Sequence, residues 1–290
     1  MERRINIVSV KQVRRNSTRA RTRLASDLGE AIAHQDIRVH YQPQFTLRSG
    51  RACGVEALAR WVHDGHSMPP STFIPIAEHY GLINAIGLSV LHQSCATFFG
   101  WRAAGDLTLS VNFSPRQINE DFADLVVSMV TVSGLPPSCL ELEITETALM
   151  ANPEQAVRTL ERCKAIGVRV ALDDFGTGYS SLNYLAQLPI DRLKLDKSFV
   201  HRMPVDHKTT AIIRSVLAMG RDLGLVVIAE GIETEQQLAM LDAMGCIQGQ
   251  GNLLSTPMPA DAALQVLQRP WGDRFAAVAS HAQDGDLHAA

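Results

Sequence analysis

Two adjacent carboxylates, Asp173 and Asp174, follow the apolar run VAL at 170–172. Neighbouring side chains on a strand point to opposite faces, so such a pair can serve one site only where that alternation breaks. More acids and amides stand near the ends of other short apolar runs. Glu56 lies within CGVEALA with Arg60 behind it, Asn112 is near the end of TLSVNF, and Glu143 and Glu146 mark the end of CLELEIT. Lys194 and Asp196 end DRLKLD, Glu230 ends LVVIAE with Glu233 behind it, and Gln250 ends CIQGQ. Any one of these residues taken singly reads better as a solvated strand end or a locally paired ion. On strands that converge on one mouth, five or more carboxylates would be crowded together, and they cannot all stay ionised without a cation. Carboxylates with an Asn carbonyl are hard oxygen ligands suited to Mg2+ or Mn2+. A single lysine among them suits contact with an attacking water.

The elements that must hold these residues alternate along the chain after residue 25. Strands are expected at 37–42, 53–59, 108–113, 139–145, 168–173, 191–196, 225–230 and, more weakly, 246–250. Helix signals separate them. Ser114-Pro115 and Asn152-Pro153 read as N-caps followed by proline at the first helical position. Asn152 opens a helix with Ala156, Val157, Leu160 and Cys163 on one face, closed by Gly167. Asp206 caps a helix through Ile212, Val216 and Met219, and Thr234 with Gln237 forms a capping box for one that stops at Gly245. Eight strands with intervening helices predict an α/β fold, a TIM-type (β/α)8 barrel, with a doubly wound sheet as the alternative. In a barrel the reactive groups sit at the C-terminal strand ends, where these residues fall.

The bulk properties are those of a globular chain. Of 290 residues, 46% are hydrophobic and 20% charged, which allows a single barrel domain. No apolar run approaches the ~18 residues a membrane helix needs, and the basic N-terminus is not followed by a secretory core segment. The five cysteines are scattered without a C-x-x-C pair. They read as buried reduced thiols, in keeping with the cytoplasm. The net charge of -3 is unevenly spread: residues 1–23 carry eight Lys/Arg and one acid, Glu2. The expected organisation is a flexible basic leader over 1–24, a barrel over 25–270 and a loose tail over 271–290. The leader could touch nucleic acid, anionic lipid or a protein, although it has no aromatics for base stacking.

Competing motifs are weak. The DFG at 174–176 lacks the glycine-rich loop and catalytic loop of a kinase. No Walker A loop and no G-x-S-x-G elbow are present. His63-Asp64-Gly65-His66 has the look of a metal pair but reads as a surface loop.

Seven ordered motifs resemble those of EAL-domain cyclic di-GMP phosphodiesterases: EALAR (56–60), VNFSP (111–115), ELEITET (141–147), DDFGTGYSSL (173–182), LKLDKSFV (193–200), AEGIET (229–234) and QGQGNLLSTP (248–257). YQP at 41–43 also fits. The resemblance implies a modified barrel whose first strand is antiparallel, and metal-dependent hydrolysis of cyclic di-GMP to linear pGpG. It implies that Glu56, Asn112, Glu143 and Asp173 bind one metal ion. Asp173 would bridge to a second, held also by Asp174 and Glu230. Lys194 would contact the nucleophilic water, and Glu233 and Gln250 would support the inner residues. Glu146 would pin the DFGTGYSS loop, which shapes the second metal site and a homodimer interface. Gln42, Leu58, Arg60, Asp196 and Gln250 would contact the substrate. Two Mg2+ or Mn2+ ions are implied, with Ca2+ inhibitory. Ile247 stands where the family commonly has an acid, and Asn252 where it commonly has an aromatic near the base-binding region. A second expectation, supported by Asn252 and the basic leader, is a catalytically weak module that binds cyclic di-GMP as a receptor or a protein as an adaptor.

Overall fold

The computed structural model describes residues 7–101, 104–146, 149, 152–176, 185 and 187–268. The chain divides into two compact units, one of Met1–Arg38 with Ala59–Ser89 and the other of Val39–Leu58 with Val90–Ala290.

In the smaller unit a long helix, α1 (Ile7–Ala33), contacts a second, α2 (Pro70–His79). The helix α1 runs through residue 24, where the sequence reading ends the leader. Ala25, Leu28, Trp61, Phe73, Ile76 and Ala77 are buried here, and the rings of Trp61 and Phe73 meet edge to face at 5.9 Å. The segment read as a surface loop is a hairpin. The end of β2 (Ala52–His63) pairs antiparallel with β3 (His66–Met68), with His63 opposite His66. Asp64 and Gly65 form the two-residue turn at φ 51 and 76, which matches the twist of the flanking strands and explains the Asp-Gly pair. The two histidines are engaged locally. His63 Nε2 lies 2.9 Å from Asp27 Oδ2, and His66 Nδ1 lies 2.8 Å from the Asp64 carbonyl.

In the larger unit the strands are β1 (Arg38–Thr46), the first half of β2, β4 (Thr108–Phe113), β5 (Leu140–Thr145), β6 (Arg169–Phe175), β7 (Arg192–Leu195), β8 (Val226–Ala229) and β9 (Gln248–Gly249). Their order is β1-β9-β8-β7-β6-β5-β4-β2, and β1 pairs back with β2 to close the barrel. From β2 through β9 neighbouring barrel strands are parallel. β1 runs antiparallel to β9, pairing Phe45 with Gly249.

Strands covered by helices are buried on both faces, so they read as apolar runs rather than as an in–out alternation. β5 shows this: Leu140, Leu142 and Ile144 are fully buried on one face, and Glu141 and Glu143 are buried on the other. The covering helices follow the sequence signals. α3 (Ile83–Gly100) and α4 (Phe122–Ser133) precede α5 (Pro153–Ala165), which is capped by Asn152 and buries Ala156, Thr159, Leu160 and Cys163. α6 (Lys197–Arg202) leads to α7 (His207–Asp222), capped by Asp206 as expected. Its buried face is turned by one residue from the expected one: Ile213, Val216, Leu217 and Gly220 are buried, and Ile212 is exposed. Gly220 lies on this face, and a Cβ there would clash with Val227 on β8. α8 (Glu235–Ala243) carries both halves of the Thr234–Gln237 capping box, and α9 (Ala260–Leu267) ends the described chain. Ser114-Pro115 opens only a 3-10 turn, Pro115–Gln117.

Candidate active site

The question posed by Asp173 and Asp174 is answered by a bulge. β6 does not stop at Asp173 but continues through Phe175. Leu172 pairs with Leu193 and Phe175 with Leu195, so Asp173 and Asp174 together oppose Lys194. Two residues against one define a β-bulge, which re-aims side chains next to a site. Asp174 sits in the left-handed region at φ 55, which Asp tolerates better than most residues. Its N–H donates to Asp173 Oδ1 at 2.8 Å. Burial, with the charges of Asp173 and Asp196, pushes its carboxyl upward. The alternation is therefore broken inside the strand and not by a loop beginning at Asp174. Gly176 follows at φ 92. Gly178 and the rest of the expected DFGTGYSS loop beyond Gly176 lie outside the described residues.

At the centre stands Lys194, with only 1% of its side chain exposed. Its ammonium lies 2.7 Å from Glu143 Oε2, 2.8 Å from Glu230 Oε1, 3.2 Å from Asp173 Oδ2 and 3.7 Å from Glu56 Oε1. Burial alone would discharge it, but these four carboxylates outweigh burial and hold its pKa well above the ordinary lysine value. One ammonium cannot balance four acids. Burial, with the charges of Glu56 and Asp173, pushes Glu143 well up. Burial and the charge of Asp173 drive Glu230 to about 8, against the pull of Lys194. Glu56 moves down: burial opposes its charge, but Lys194, Gln250 and Asn112 together win. Asn112 Nδ2 donates to Glu56 Oε1 at 2.6 Å and Gln250 Nε2 to Glu56 Oε2 at 2.6 Å.

Among the described residues no group of three or more His, Cys, Asp or Glu side chains is spaced to hold a metal ion as it stands. The Lys194 ammonium fills the space the carboxylates share. The donor set nevertheless fits a hard divalent cation. Glu143 Oε1 is buried with no hydrogen-bond partner among the described residues, and the acids carry more charge than the lysine neutralises.

The other expected residues are placed as follows. Gln42 Nε2 donates to the Ser255 carbonyl at 3.0 Å, and its Oε1 accepts from Gln250 Nε2 at 2.9 Å. Leu58 and Arg60 follow Glu56 at alternate positions of β2, and Arg60 donates to the Ala59 carbonyl at 2.9 Å. Asp196 is the N-cap of α6, accepting from the Ser198 N–H at 2.9 Å. Glu146 is buried, with Oε2 lacking a hydrogen-bond partner among the described residues; residues 177–181 of the loop it is expected to pin lie outside them. Glu233 is not drawn into the cluster around Lys194. Half of its side chain is exposed, and it lies 3.6 Å from His201.

Beneath this ring lies a second polar layer that the sequence reading did not single out. Arg192 donates to Glu141 at 2.8 Å and to Gln44 Oε1 at 3.3 Å, and Ser110 donates to Glu141 at 2.8 Å. All four residues are buried. The signal was present as polar residues two apart: Gln42 and Gln44, Ser110 and Asn112, Glu141 and Glu143, Arg192 and Lys194. On a strand that spacing places both members on one face.

An α/β barrel with an acid-rich, lysine-centred cluster at the C-terminal ends of its parallel strands defines the class of protein. The chain belongs to the EAL-domain family, whose profile matches residues 25–257. It is 46% identical over 249 residues to an uncharacterized signaling protein of Caulobacter vibrioides, covering 85% of this chain and 30% of that protein. It is 40% identical over 245 residues to the bifunctional diguanylate cyclase/cyclic di-GMP phosphodiesterase MucR of Pseudomonas aeruginosa, covering 83% of this chain and 36% of that one. The chain thus spans about a third of the length of these relatives. Among solved structures it resembles the MucR phosphodiesterase in complex with c-di-GMP, with TM-score 0.80 and 40% identity over 83% of this chain and 99% of that one. It also resembles the EAL enzyme Bd1971 bound to cAMP and cyclic di-GMP, with TM-score 0.83 and 29% identity over 90% of this chain and 74% of that one. Among the described residues no helix is long and apolar enough to cross a membrane.

Proposed function

We propose that this chain is a metal-dependent phosphodiesterase that hydrolyses cyclic di-GMP to linear pGpG. One observation carries the reading: Glu56, Glu143, Asp173 and Glu230 gather within 3.7 Å of a single buried ammonium, leaving an excess of acid charge. Glu56, Asn112, Glu143 and Asp173 would hold one ion, and Asp173, Asp174 and Glu230 a second. Two Mg2+ or Mn2+ ions, when bound, polarise the phosphodiester and the attacking water.

The chain's own residues do the remaining work. Asn112 and Gln250 fix both oxygens of the Glu56 carboxylate, so its lone pairs face a defined direction. Lys194 keeps its proton, which suits it to donate to the water oxygen and unsuits it as a base. Water adds to phosphorus, the P–O3′ bond breaks, and the water's protons end on the new phosphate and the 3′ hydroxyl or in solvent. Arg60 offers a planar fork suited to two phosphate oxygens, and Gln42, Leu58, Asp196 and Gln250 complete the substrate side.

The same reading takes the barrel as residues 25–270, a homodimer through the barrel, inhibition by Ca2+ and a cytoplasmic setting. Its test is incubation of folded protein with cyclic di-GMP and Mg2+ or Mn2+, with pGpG as the expected product. No pGpG with either metal sinks the reading. Binding of cyclic di-GMP in Ca2+ without turnover in Mg2+ or Mn2+ would instead support a receptor, the alternative to which Asn252 and the basic leader point.

A further inference from the structure

Gln44 lies fully buried in the second polar layer, yet it is tied to the ring above. Its Nε2 donates to Gln250 Oε1 at 3.1 Å. Gln250 Nε2 donates in turn to Glu56 Oε2 at 2.6 Å, and Gln44 Oε1 accepts from Arg192 Nη1 at 3.3 Å. An amide can be turned either way, so the polarity of such a chain must be imposed from its ends. Both ends here impose the same one. Ionised Glu56 can only accept, which forces the nitrogen of Gln250 toward it. Arg192 can only donate, which forces the oxygen of Gln44 toward it. Between these ends one arrangement satisfies both amides, and in it Gln250 is locked as a donor to Glu56.

We propose that Gln44 is a positioning residue for the candidate metal centre, acting through Gln250 to fix the Glu56 carboxylate; this rests on the reading of Glu56 as a metal ligand. Arg192 anchors the relay, because Glu141 holds its guanidinium at 2.8 Å. Without Gln44 the Gln250 oxygen loses its donor, and the amide is held only at its nitrogen, by Glu56 and by Gln42 Oε1 at 2.9 Å, so it can shift and carry the Glu56 carboxylate with it. Groups that orient a ligand in this way commonly change metal affinity by about 10–100-fold.

The test measures Mn2+ affinity by titration calorimetry on substrate-free full chain, with thermal melting as the folding control. Gln44→Met keeps the length and removes the amide, and should weaken Mn2+ binding by about tenfold or more. Gln44→Glu keeps the Arg192 contact but cannot donate to Gln250, so it should also weaken binding, and it serves should the methionine variant fail to fold. In a Gln250→Ala background, where the relay is already cut, Gln44→Met should add less than about twofold, since residues acting in series are not additive. Equal losses in both backgrounds would make Gln44 a packing residue and overturn the proposal. So would affinities within about twofold of the parent in both folded Gln44 variants. A parent chain that binds no Mn2+ refutes the metal reading and the relay with it. A parent that binds Mn2+ while the Gln44 variants do so equally well refutes the relay alone.

Discussion

Replacing Lys194 by methionine removes the ammonium that four carboxylates share and leaves an apolar side chain of similar length. In metal-free protein Glu143, Glu230, Asp173 and Glu56, all within 3.7 Å of that nitrogen, then face one another with no counter-charge. Breaking a buried ionic group by removing one partner costs about 3–5 kcal/mol. For a domain of this size each kcal/mol lowers the melting temperature by about 2–4 °C, so Lys194→Met in EDTA should melt about 6–20 °C below the parent. The loss should depend on pH, with a definite sign. Burial raises the Glu230 carboxyl from the usual 4.5 to about 8 in the folded chain, and Glu143 is raised as well. A carboxyl raised on folding binds more protons in the folded state. Its favourable contribution is therefore complete below the unfolded value and is lost as pH rises through the folded one. Metal-free parent should thus lose stability between about pH 4.5 and pH 8 on account of Glu230, and Lys194→Met should lose more, since its acids lack the ammonium. Saturating Mg2+ should restore most of the difference by supplying the missing positive charge. Melting curves from pH 5 to 9, with EDTA or Mg2+, read all of this. A Lys194→Met variant that melts with the parent at pH 8 in EDTA would refute the shared-ammonium reasoning.

Two further perturbations test the local geometry. Gly176→Ala places a Cβ 2.8 Å from two ring carbons of Phe199 at φ 92 and should cost about 1–3 kcal/mol by chemical denaturation; Asp174→Val should cost a similar amount relative to Asp174→Asn, and equal stabilities of the two Asp174 variants would contradict the left-handed bulge. Arg192→Leu leaves the buried Glu141 carboxylate without its ion partner and should cost about 3–5 kcal/mol, most of it recovered in the Arg192→Leu/Glu141→Leu double variant; a double variant no more stable than the single one would show that the pair does more than neutralise itself.

Much of the fold was legible because its signals are local. Proline and polar caps at Asn152, Asp206 and Thr234 work over three or four residues, and each opens the helix it was expected to open. The strand TLSVNF was read with its bounds, 108–113, as found. β1 was read short because Pro43 and the polar residues around it interrupt the apolar pattern. β9 was read long because its pairing, not its composition, limits it to Gln248–Gly249. The hairpin at Asp64-Gly65 was missed although an Asp-Gly pair signals one, since β3 is only three residues long. Within the site, the acids and the lysine were legible as charges that apolar strands have no structural use for. Gln44, Ser110 and Arg192 were not, because a buried amide, hydroxyl or guanidinium differs from a solvated one only through its partners.

The sequence by itself determined the chemistry: which oxygen and nitrogen groups the strands carry, and their spacing by two, which commits each pair to one face. Tertiary structure decided what those groups become. The bulge that sets Asp173 and Asp174 against Lys194 exists only through pairing with β7. The relay joins Gln44 to Gln250 and Gln250 to Glu56 across 206 and 194 residues of chain. The upward shift of Glu230 and the retained charge of Lys194 arise because closure of the barrel excludes water while forcing like charges together. Desolvation and Coulomb interaction depend on distance in space, which a linear pattern does not contain.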